Sequence, residues 1–311
     1  MVIGAVDIGG TKIAVGLVDE SGRLLAQVST PTAQLNGFAA GMESIAAMLR
    51  ACLAEQPAPL AGIGIGCTGP VEPVSGVLGP NYFLPGWEGE NPVASLSEAF
   101  RVPAAVENDA DAAALAEAAW GAGRGVSQVV YLTVSTGIGG GLVLDGRLYR
   151  GVAGAHPEIG HHVIDPDGPP CFCGARGCFE SLCSGPALAG WYLRQPGAVD
   201  PANTHVDARL VCQMAAAGDP VAQAAVERAG FYLGSGLANL VNLYTPGVIV
   251  LGGGVMESWS LFEDRARATI RQNCGLVPWE KTELRQASLG AQTGLSGAAR
   301  VWLHRFYPES G

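Results

Sequence analysis

The stretch VIGAVDIGGTKIAVGLV at residues 2–18 contains two β-branched runs separated by a glycine turn. Val2–Val6 and Ile13–Val18 have the composition of strands, and Gly9-Gly10 is typical of a tight turn between them. A third such run, Leu24–Ser29, predicts that the chain begins with a β-meander. Because a strand rather than a helix follows the glycines, the stretch is neither a Rossmann fingerprint nor a Walker loop, both of which lead into a helix.

The segments that follow alternate between helices and strands, which predicts an α/β protein with a mixed sheet. The predicted helices lie near 37–55, 109–120, 185–194, 206–217, 220–244, 258–273 and 292–306, and the predicted strands at 63–67, 104–107, 128–135, 139–144, 248–251 and 282–286. The second half restarts at residue 128 with another glycine-turn hairpin. We therefore expect two α/β lobes, residues 1–120 and 121–291, with the helix at about 292–311 packing back onto the first.

The composition favours a globular cytoplasmic protein that binds a small molecule. The 311 residues carry a formal charge of −10, which disfavours nucleic acids and anionic membranes as partners. The longest uninterrupted apolar runs are too short to span a bilayer, and the first residues lack the pattern of a signal peptide. The eight cysteines are expected to be reduced, since nothing indicates an oxidising compartment.

The block from Glu158 to Glu180 reads Glu-x2-His-x9-Cys-x-Cys-x4-Cys-x-Glu. One imidazole and three thiolates at this spacing predict a closed, structural Cys3His zinc site, and its ligands are His161, Cys171, Cys173 and Cys178. A disulfide cluster would need oxidising conditions, and a zinc knuckle would need a basic surface. If zinc holds this loop rigid, the two flanking carboxylates are fixed where they can accept hydrogen bonds from a hydroxylated ligand.

Three glycine-rich turns lie at predicted strand ends, where backbone amides can approach phosphate oxygens. Their candidate nucleotide-binding residues are Gly9, Gly10, Thr11, Lys12, Thr136, Gly137, Gly139, Gly140, Gly252, Gly253 and Gly254. Asp7, at the end of the first strand, could hold Mg2+ through water. Each turn alone could be an ordinary hairpin or loop, but three of them in a duplicated chain indicate a nucleotide between two lobes.

The sequence Glu107-Asn108-Asp109 ends a predicted strand and opens a predicted helix. Asp109 in that position could be only a helix cap. A carboxylate at the carboxyl end of a strand, however, faces the crevice where α/β proteins bind ligands, and it could accept a proton from a substrate hydroxyl. Asn81 and Leu84-Pro85-Gly86-Trp87 form a polar-aromatic loop that could close over a sugar or be a plain turn.

These motifs together resemble the ROK family of sugar kinases, and the resemblance runs nearly from end to end. The matching segments are DIGGTK at 7–12, ENDA at 107–110, TGIGGG at 136–141, EIGH at 158–161, CFCGARGCFE at 171–180 and LGGGV at 251–255. The zinc block is also similar to that of the kinase half of the bifunctional N-acetylmannosamine kinases.

The resemblance implies an actin-like ATPase fold, in which two lobes of the ribonuclease-H type close on a sugar and ATP. It implies that Asp109 is the catalytic base and that the hexose is held by Gly69, Asn81, Asn108, Asp109, Glu158, His161 and Glu180. His161 would bind zinc through one ring nitrogen and face the sugar with the other. The first two glycine turns would hold the phosphates and Gly252–Gly254 the adenosine. Family members are commonly homodimers and sometimes homotetramers.

The implied reaction is ATP- and Mg2+-dependent phosphorylation of a hexose at its 6-hydroxyl, with glucose as the first choice. N-acetylmannosamine, N-acetylglucosamine and fructose are alternatives, because His156-Pro157 and Thr68 depart from the pattern frequent in glucokinases. Asp111 stands where many members have Asn and is expected to raise the pKa of Asp109. A catalytically idle sugar sensor and a zinc hydrolase are rivals of other classes. We expect no helix-turn-helix segment of the kind that the family's repressors carry.

Overall fold

The computed structural model describes residues 1–35, 37–202 and 204–308 and is an α/β protein. Its strands are β1 Val2–Ile8, β2 Lys12–Asp19, β3 Leu24–Pro31, β4 Leu60–Cys67, β5 Val71–Glu72, β6 Val77–Leu78, β7 Ala104–Asn108, β8 Gln128–Val134, β9 Ile138–Leu144, β10 Arg147–Leu148, β11 Val248–Gly252 and β12 Glu283–Gln286. Its α-helices are α1 Gly37–Glu55, α2 Pro92–Phe100, α3 Asp109–Trp120, α4 Phe179–Cys183, α5 Gly185–Leu193, α6 Ala208–Ala216, α7 Pro220–Tyr244, α8 Glu263–Asn273 and α9 Thr293–Phe306.

Two five-stranded sheets share one strand order. The first is β3-β2-β1-β4-β7 and the second is β10-β9-β8-β11-β12. In the first sheet the first three strands along the chain form the predicted antiparallel meander, and β4 and β7 add in parallel on its other side. In the second sheet β8, β9 and β10 take the corresponding places, and β11 and β12 add in parallel beside β8. The duplication predicted from the two glycine-turn hairpins is therefore present in the topology.

The chain forms two compact units. Unit 1 comprises Met1–Ser127, Gly141–Pro157 and Ala287–Gly311, of which residues 309–311 lie outside the described part; unit 2 comprises Gln128–Gly140 and Glu158–Gln286. The C-terminal helix α9 packs on β1 and β4 within unit 1. The boundary between the two units falls within strand β9, after Gly140. The lobe boundaries drawn from the sequence near residue 120 stay a prediction.

Both faces of the unit 1 sheet are covered, because its strands carry apolar side chains on both faces. Along β1, Val6 and Ile8 belong to the buried cluster that includes Ile45 and Leu49 of α1. The alternate residues Ile3 and Ala5 belong to a second cluster that includes Leu295 and Trp302 of α9. The period of two in the sequence therefore places one helix on each face of the sheet.

Strand β4 has the sequence LAGIGIGC, in which glycine alternates with a larger apolar residue. Ile63 and Ile65 belong to the α1 side of the core. A Cβ on Gly62 would overlap the Trp302 indole, and a Cβ on Gly64 would overlap the Ala298 carbonyl. The glycines let α9 approach the sheet backbone more closely than any side chain would allow.

Glu117 fixes the end of α3. Its carboxylate is fully buried and accepts hydrogen bonds from the backbone N–H groups of Ala122 (2.7 Å), Ser288 (3.1 Å) and Leu289 (3.0 Å). Such charge-assisted bonds are stronger than neutral ones. They join the segment that leads into α9 to the helix that begins at Asp109.

Helix α1 is the one helix in the described part of the chain that has the length and apolar composition of a membrane span. One stripe of it, which includes Met42, Ile45 and Leu49, is buried in unit 1. Since core helices pass the same test, this finding is weak support for a membrane span.

Candidate active site

The β1–β2 turn presents Gly9 to Lys12 at the end of the unit 1 sheet. The Gly9 N–H donates to the Lys12 carbonyl (3.0 Å), and the Gly9 carbonyl accepts from the Thr32 hydroxyl (2.7 Å). Gly10, Thr11 and Lys12 are exposed at this turn. The chain therefore places two exposed donors, the Thr11 hydroxyl and the Lys12 ammonium, on a turn that is held by hydrogen bonds at its base.

Asp7 and Asp109 lie close enough in unit 1 for their charges to interact, and both are largely buried. Burial raises the pKa of Asp7 to about 7; the Asp109 carboxylate raises it further, and Lys12 lowers it. Burial is likewise the main reason that the pKa of Asp109 is raised, with Asp111 adding to the increase and the Ala110 N–H and His156 opposing it. Buried carboxylates with raised pKa values are typical of functional sites.

Asn108 joins the β7–α3 junction to the neighbouring strand end. Its side-chain amide donates to the Gly69 carbonyl (3.1 Å), and its oxygen accepts from Ala110 N–H (2.9 Å), which caps α3. Gly69 has a φ of +84°, and a Cβ there would overlap the Asn81 amide. Asn81 in turn donates to the Thr68 carbonyl (2.5 Å). The structure thus brings together Gly69, Asn81, Asn108 and Asp109, to which the family resemblance gives the sugar as ligand.

In unit 2, Glu180 lies against the second glycine turn. Its carboxylate accepts from the Ile138 N–H (2.8 Å), and a Cβ on Gly137 would lie 2.6 Å from it. Thr136 is exposed at this turn. Glu158 begins the short turn that ends in His161, whose N–H donates to the Glu158 carbonyl (2.9 Å).

The zinc ligands predicted from the sequence converge. One nitrogen or sulfur atom from each of His161, Cys171, Cys173 and Cys178 lies within 4.8 Å of the others. Nδ1 of His161 is 3.5 Å from Sγ of Cys171, and Sγ of Cys173 is 3.6 Å from Sγ of Cys178. A tetrahedron with zinc–sulfur bonds of about 2.3 Å has sulfur–sulfur edges of about 3.8 Å. The donor set and its spacing therefore fit a structural zinc ion.

Gly252 to Gly254 connect β11 to a 3-10 helix at Gly254–Leu261. Gly253 has a φ of +87°, and a Cβ there would lie 2.7 Å from Oγ1 of Thr133. Among the described residues, no heavy atom outside the local chain comes within 4 Å of a Cβ position on Gly254. The turn therefore leaves backbone accessible at this strand end, as a site for a flat ring or phosphate requires.

Three residues at this site were not assigned from the sequence. Arg150 forms ion pairs with both Glu107 and Asp111. Thr32 ties the first glycine turn to the following segment, and Phe83 packs against Gly10, where a Cβ would lie 2.8 Å from its own. Each contact joins residues far apart in sequence, so no local pattern indicates it. The one signal in the sequence was the pair of carboxylates two residues on either side of Asp109, Glu107 and Asp111, which would need a positively charged partner if they were buried.

Two sheets of one topology, with glycine turns at their strand ends, define an α/β protein with the actin-like ATPase fold, which a solved ROK hexokinase shares. The ROK family profile matches residues 3–305, and the chain belongs to this family.

Similar proteins agree with this assignment. The chain is 33% identical to a glucokinase of Streptomyces coelicolor, over 94% of this chain and 95% of that protein. The crystal structure of a ROK hexokinase from Thermus thermophilus superposes with a TM-score of 0.83 at 39% identity, covering 98% of this chain and 99% of that one. A ROK glucokinase from Streptomyces griseus, solved with glucose and AMPPNP, superposes with a TM-score of 0.79 at 32% identity, covering 96% and 98%.

Proposed function

We propose that the protein is an ATP-dependent hexose kinase that transfers the γ-phosphate to a sugar hydroxyl, with the 6-hydroxyl of glucose as the preferred acceptor. The observation that carries the proposal is the partly buried Asp109 at the β7–α3 junction, with Asn108, Gly69 and Asn81 fixed around it. Burial raises the pKa of Asp109, and a carboxylate with a raised pKa is a stronger base than one in water. The family assignment and the similarity to glucokinases support the same reaction.

In this proposal, Asp109 accepts the hydroxyl proton while the sugar oxygen attacks the γ-phosphate in line. By resemblance to the family, the residues that hold the sugar are Gly69, Asn81, Asn108, Glu158, His161 and Glu180. The two glycine turns that contain Gly9–Lys12 and Thr136–Gly140 donate backbone N–H groups to the phosphates, and Gly252–Gly254 line the adenosine site. Phosphoryl transfer requires mainly such positioning and electrostatic stabilisation from the protein.

Two metal ions belong to the proposal. Magnesium, when bound with ATP, supplies positive charge to the phosphates, and Asp7 is the carboxylate of unit 1 that would hold it through water. Zinc, when bound by His161 and the three cysteines, supplies rigidity to the loop that carries Glu158 and Glu180. Four protein ligands leave zinc no open position, which disfavours the hydrolase alternative.

The identity of the sugar rests on resemblance alone. Glucose is the first choice because of the similar glucokinases, and N-acetylmannosamine, N-acetylglucosamine and fructose remain alternatives because of His156-Pro157 and Thr68. We further propose that the protein is cytoplasmic and forms a homodimer or homotetramer. Sedimentation of the purified protein would test the oligomeric state.

The test is ADP release from Mg-ATP with glucose, mannose, fructose, N-acetylglucosamine and N-acetylmannosamine. Turnover that is strongest on glucose supports the whole proposal, and turnover that is strongest on another of these sugars retains the kinase and corrects the substrate. Absence of ADP release on all five, together with thermal stabilisation by one of them, would identify a sugar sensor instead of a kinase.

A further inference from the structure

The region beside Asp109 contains a largely buried ion triad, formed by Glu107, Asp111 and Arg150. Asp111 is fully buried at the start of α3, and its Oδ2 pairs with Nη1 of Arg150. Nη2 of the same guanidinium pairs with Oε2 of Glu107 on β7. A buried carboxylate without a counter-charge is strongly unfavourable, so Arg150 is the group that makes two of them tolerable here.

The two carboxylates of the triad flank the proposed base in the sequence. Glu107 lies two residues before Asp109, at the end of β7, and Asp111 lies two residues after it, in the first turn of α3. Arg150 comes from the segment after β10, so it clamps the strand-to-helix junction from outside both elements. A Cβ on Gly141 would lie 2.7 Å from Oδ1 of Asp111, so the helix start is also confined on the β9 side.

The triad also sets the charge around the base. Asp7 on β1 and Asp111 on α3 place further carboxylates near Asp109, and His156 opposes them, with its Nδ1 3.6 Å from Oδ2 of Asp111. Burial raises the pKa of Glu107 to about 7 even with Arg150 beside it. Removing the guanidinium would therefore leave the junction with carboxylates that repel one another or take up protons.

We propose that Arg150 is a positioning residue for phosphoryl transfer: by clamping Glu107 to Asp111, it fixes the junction that presents the Asp109 carboxylate to the sugar hydroxyl. This inference rests on the proposed kinase function. It assigns Arg150 no contact with the sugar or the nucleotide. A misplacement of about 1 Å at a reacting group can cost on the order of 100-fold in rate, which is the size of effect that loss of the clamp should have.

A cavity next to the triad provides a way to test this. It has a volume of about 290 Å³ and is lined by Glu107 and Arg150, by apolar residues of β7 and α9, and by His304 and Arg305 of α9. Truncating Arg150 to alanine would extend this cavity to the two carboxylates. Added guanidinium ion could then occupy the position of the missing side chain.

The experiment compares Arg150→Ala, Arg150→Lys and Arg305→Ala, the last being a matched control because Arg305 lines the same cavity but is exposed. For Arg150→Ala we expect kcat to fall by about 100-fold while KM for the sugar changes little. Guanidinium chloride, far below denaturing concentrations, should restore kcat by about tenfold in a saturable way, whereas equimolar urea should not. Arg150→Lys keeps a charge but loses the fork and should retain an intermediate kcat. Arg305→Ala should match the wild type.

Three outcomes would overturn the inference. If the wild type phosphorylates a hexose and a folded Arg150→Ala or Arg150→Lys keeps the full kcat, the clamp has no role in the reaction and only this inference fails. If the fall in kcat of Arg150→Ala is accounted for by a lower melting temperature and loss of folded protein, and guanidinium does not restore kcat, then Arg150 is merely structural. If the wild type phosphorylates no hexose, the proposed function fails and the inference fails with it.

Discussion

Asp7 shows how strongly the residues of this site depart from their behaviour in water. Its pKa is raised from an ordinary value of 3.8 to about 7, mainly because the carboxylate is buried and secondarily because Asp109 is close. Between these two values the folded protein holds a proton that the unfolded chain releases. Rising pH therefore favours unfolding in the window from about pH 4 to pH 7, and this carboxylate destabilises the cation-free protein above it.

The expected result is that Asp7→Asn is more stable than the wild type at pH 8 without Mg2+, by roughly 1–3 kcal/mol, and that the difference disappears near pH 4. Urea unfolding at several pH values measures this. Asp19→Asn is the control with opposite sign, since hydrogen bonds from Ser21 and Arg23 lower the pKa of Asp19. If Asp7→Asn were less stable than the wild type at pH 8, the charged Asp7 carboxylate would not destabilise the folded protein, and this prediction would be wrong.

At this scale the sequence predicted residues that stand in a local pattern. Asp109 was a candidate because a strand end and a helix start meet there, Asn108 came from the family resemblance, and the structure places both at that junction. Arg150 was not predicted, because its ion pairs with Glu107 and Asp111 join positions about forty residues apart. Such pairing depends on the packing of β10 and α3, which no local pattern encodes. The roles of the site residues stay predictions.

Strand β4 illustrates what determines the elements. Its alternation of glycine with isoleucine predicted a buried strand, but periodicity alone could not show that α9, over two hundred residues later, fills the glycine side. Shorter elements escaped the sequence analysis for a related reason. The two-residue strand β10 and the five-residue helix α4 are too short to show a period, and they form because neighbouring elements hold them.

Gly64→Ala tests the close approach of α9. The added Cβ would overlap the Ala298 carbonyl, so α9 or β4 must shift, and we expect the free energy of unfolding to fall by roughly 3 kcal/mol or more. Gly66→Ala is the matched control, because its Cβ would lie 3.4 Å from the Cβ of Ala112, an ordinary contact. Its effect should stay within about 1 kcal/mol. Equal effects from the two substitutions, measured by urea unfolding, would contradict the packing described for α9.

At the scale of the whole molecule, the same sheet topology occurs twice, and the two copies differ in the segments inserted between their strands. The strand order recurs in both sheets, yet the copy in unit 2 also carries the Cys3His cluster, between its β9 and β11. The sequence predicted this duplication because both copies open with a glycine-turn hairpin. It did not predict that Gly141–Pro157 belongs to unit 1, since that grouping depends on tertiary packing around Asp111 and Glu107.

The zinc cluster predicts a difference between two equally buried cysteines of unit 2. Cys178 and Cys274 are both fully buried, but only Cys178 belongs to the cluster. We expect about one zinc ion per chain in the wild type and in Cys274→Ser, and close to none in Cys178→Ser, by elemental analysis. Chelation should lower the melting temperature of the wild type, since a structural zinc ion contributes to folding. Full zinc content in Cys178→Ser would refute the ligand assignment.

The most direct test of the account is the rate of hexose phosphorylation by Asp109→Asn, measured beside its affinity for the same sugar. Asn cannot accept the hydroxyl proton but keeps the size of the side chain, so the account predicts a fall in kcat of about 10²–10⁴-fold with sugar affinity nearly unchanged. Turnover close to that of the wild type would contradict the assignment of Asp109 as the base and, with it, the proposed chemistry of the site.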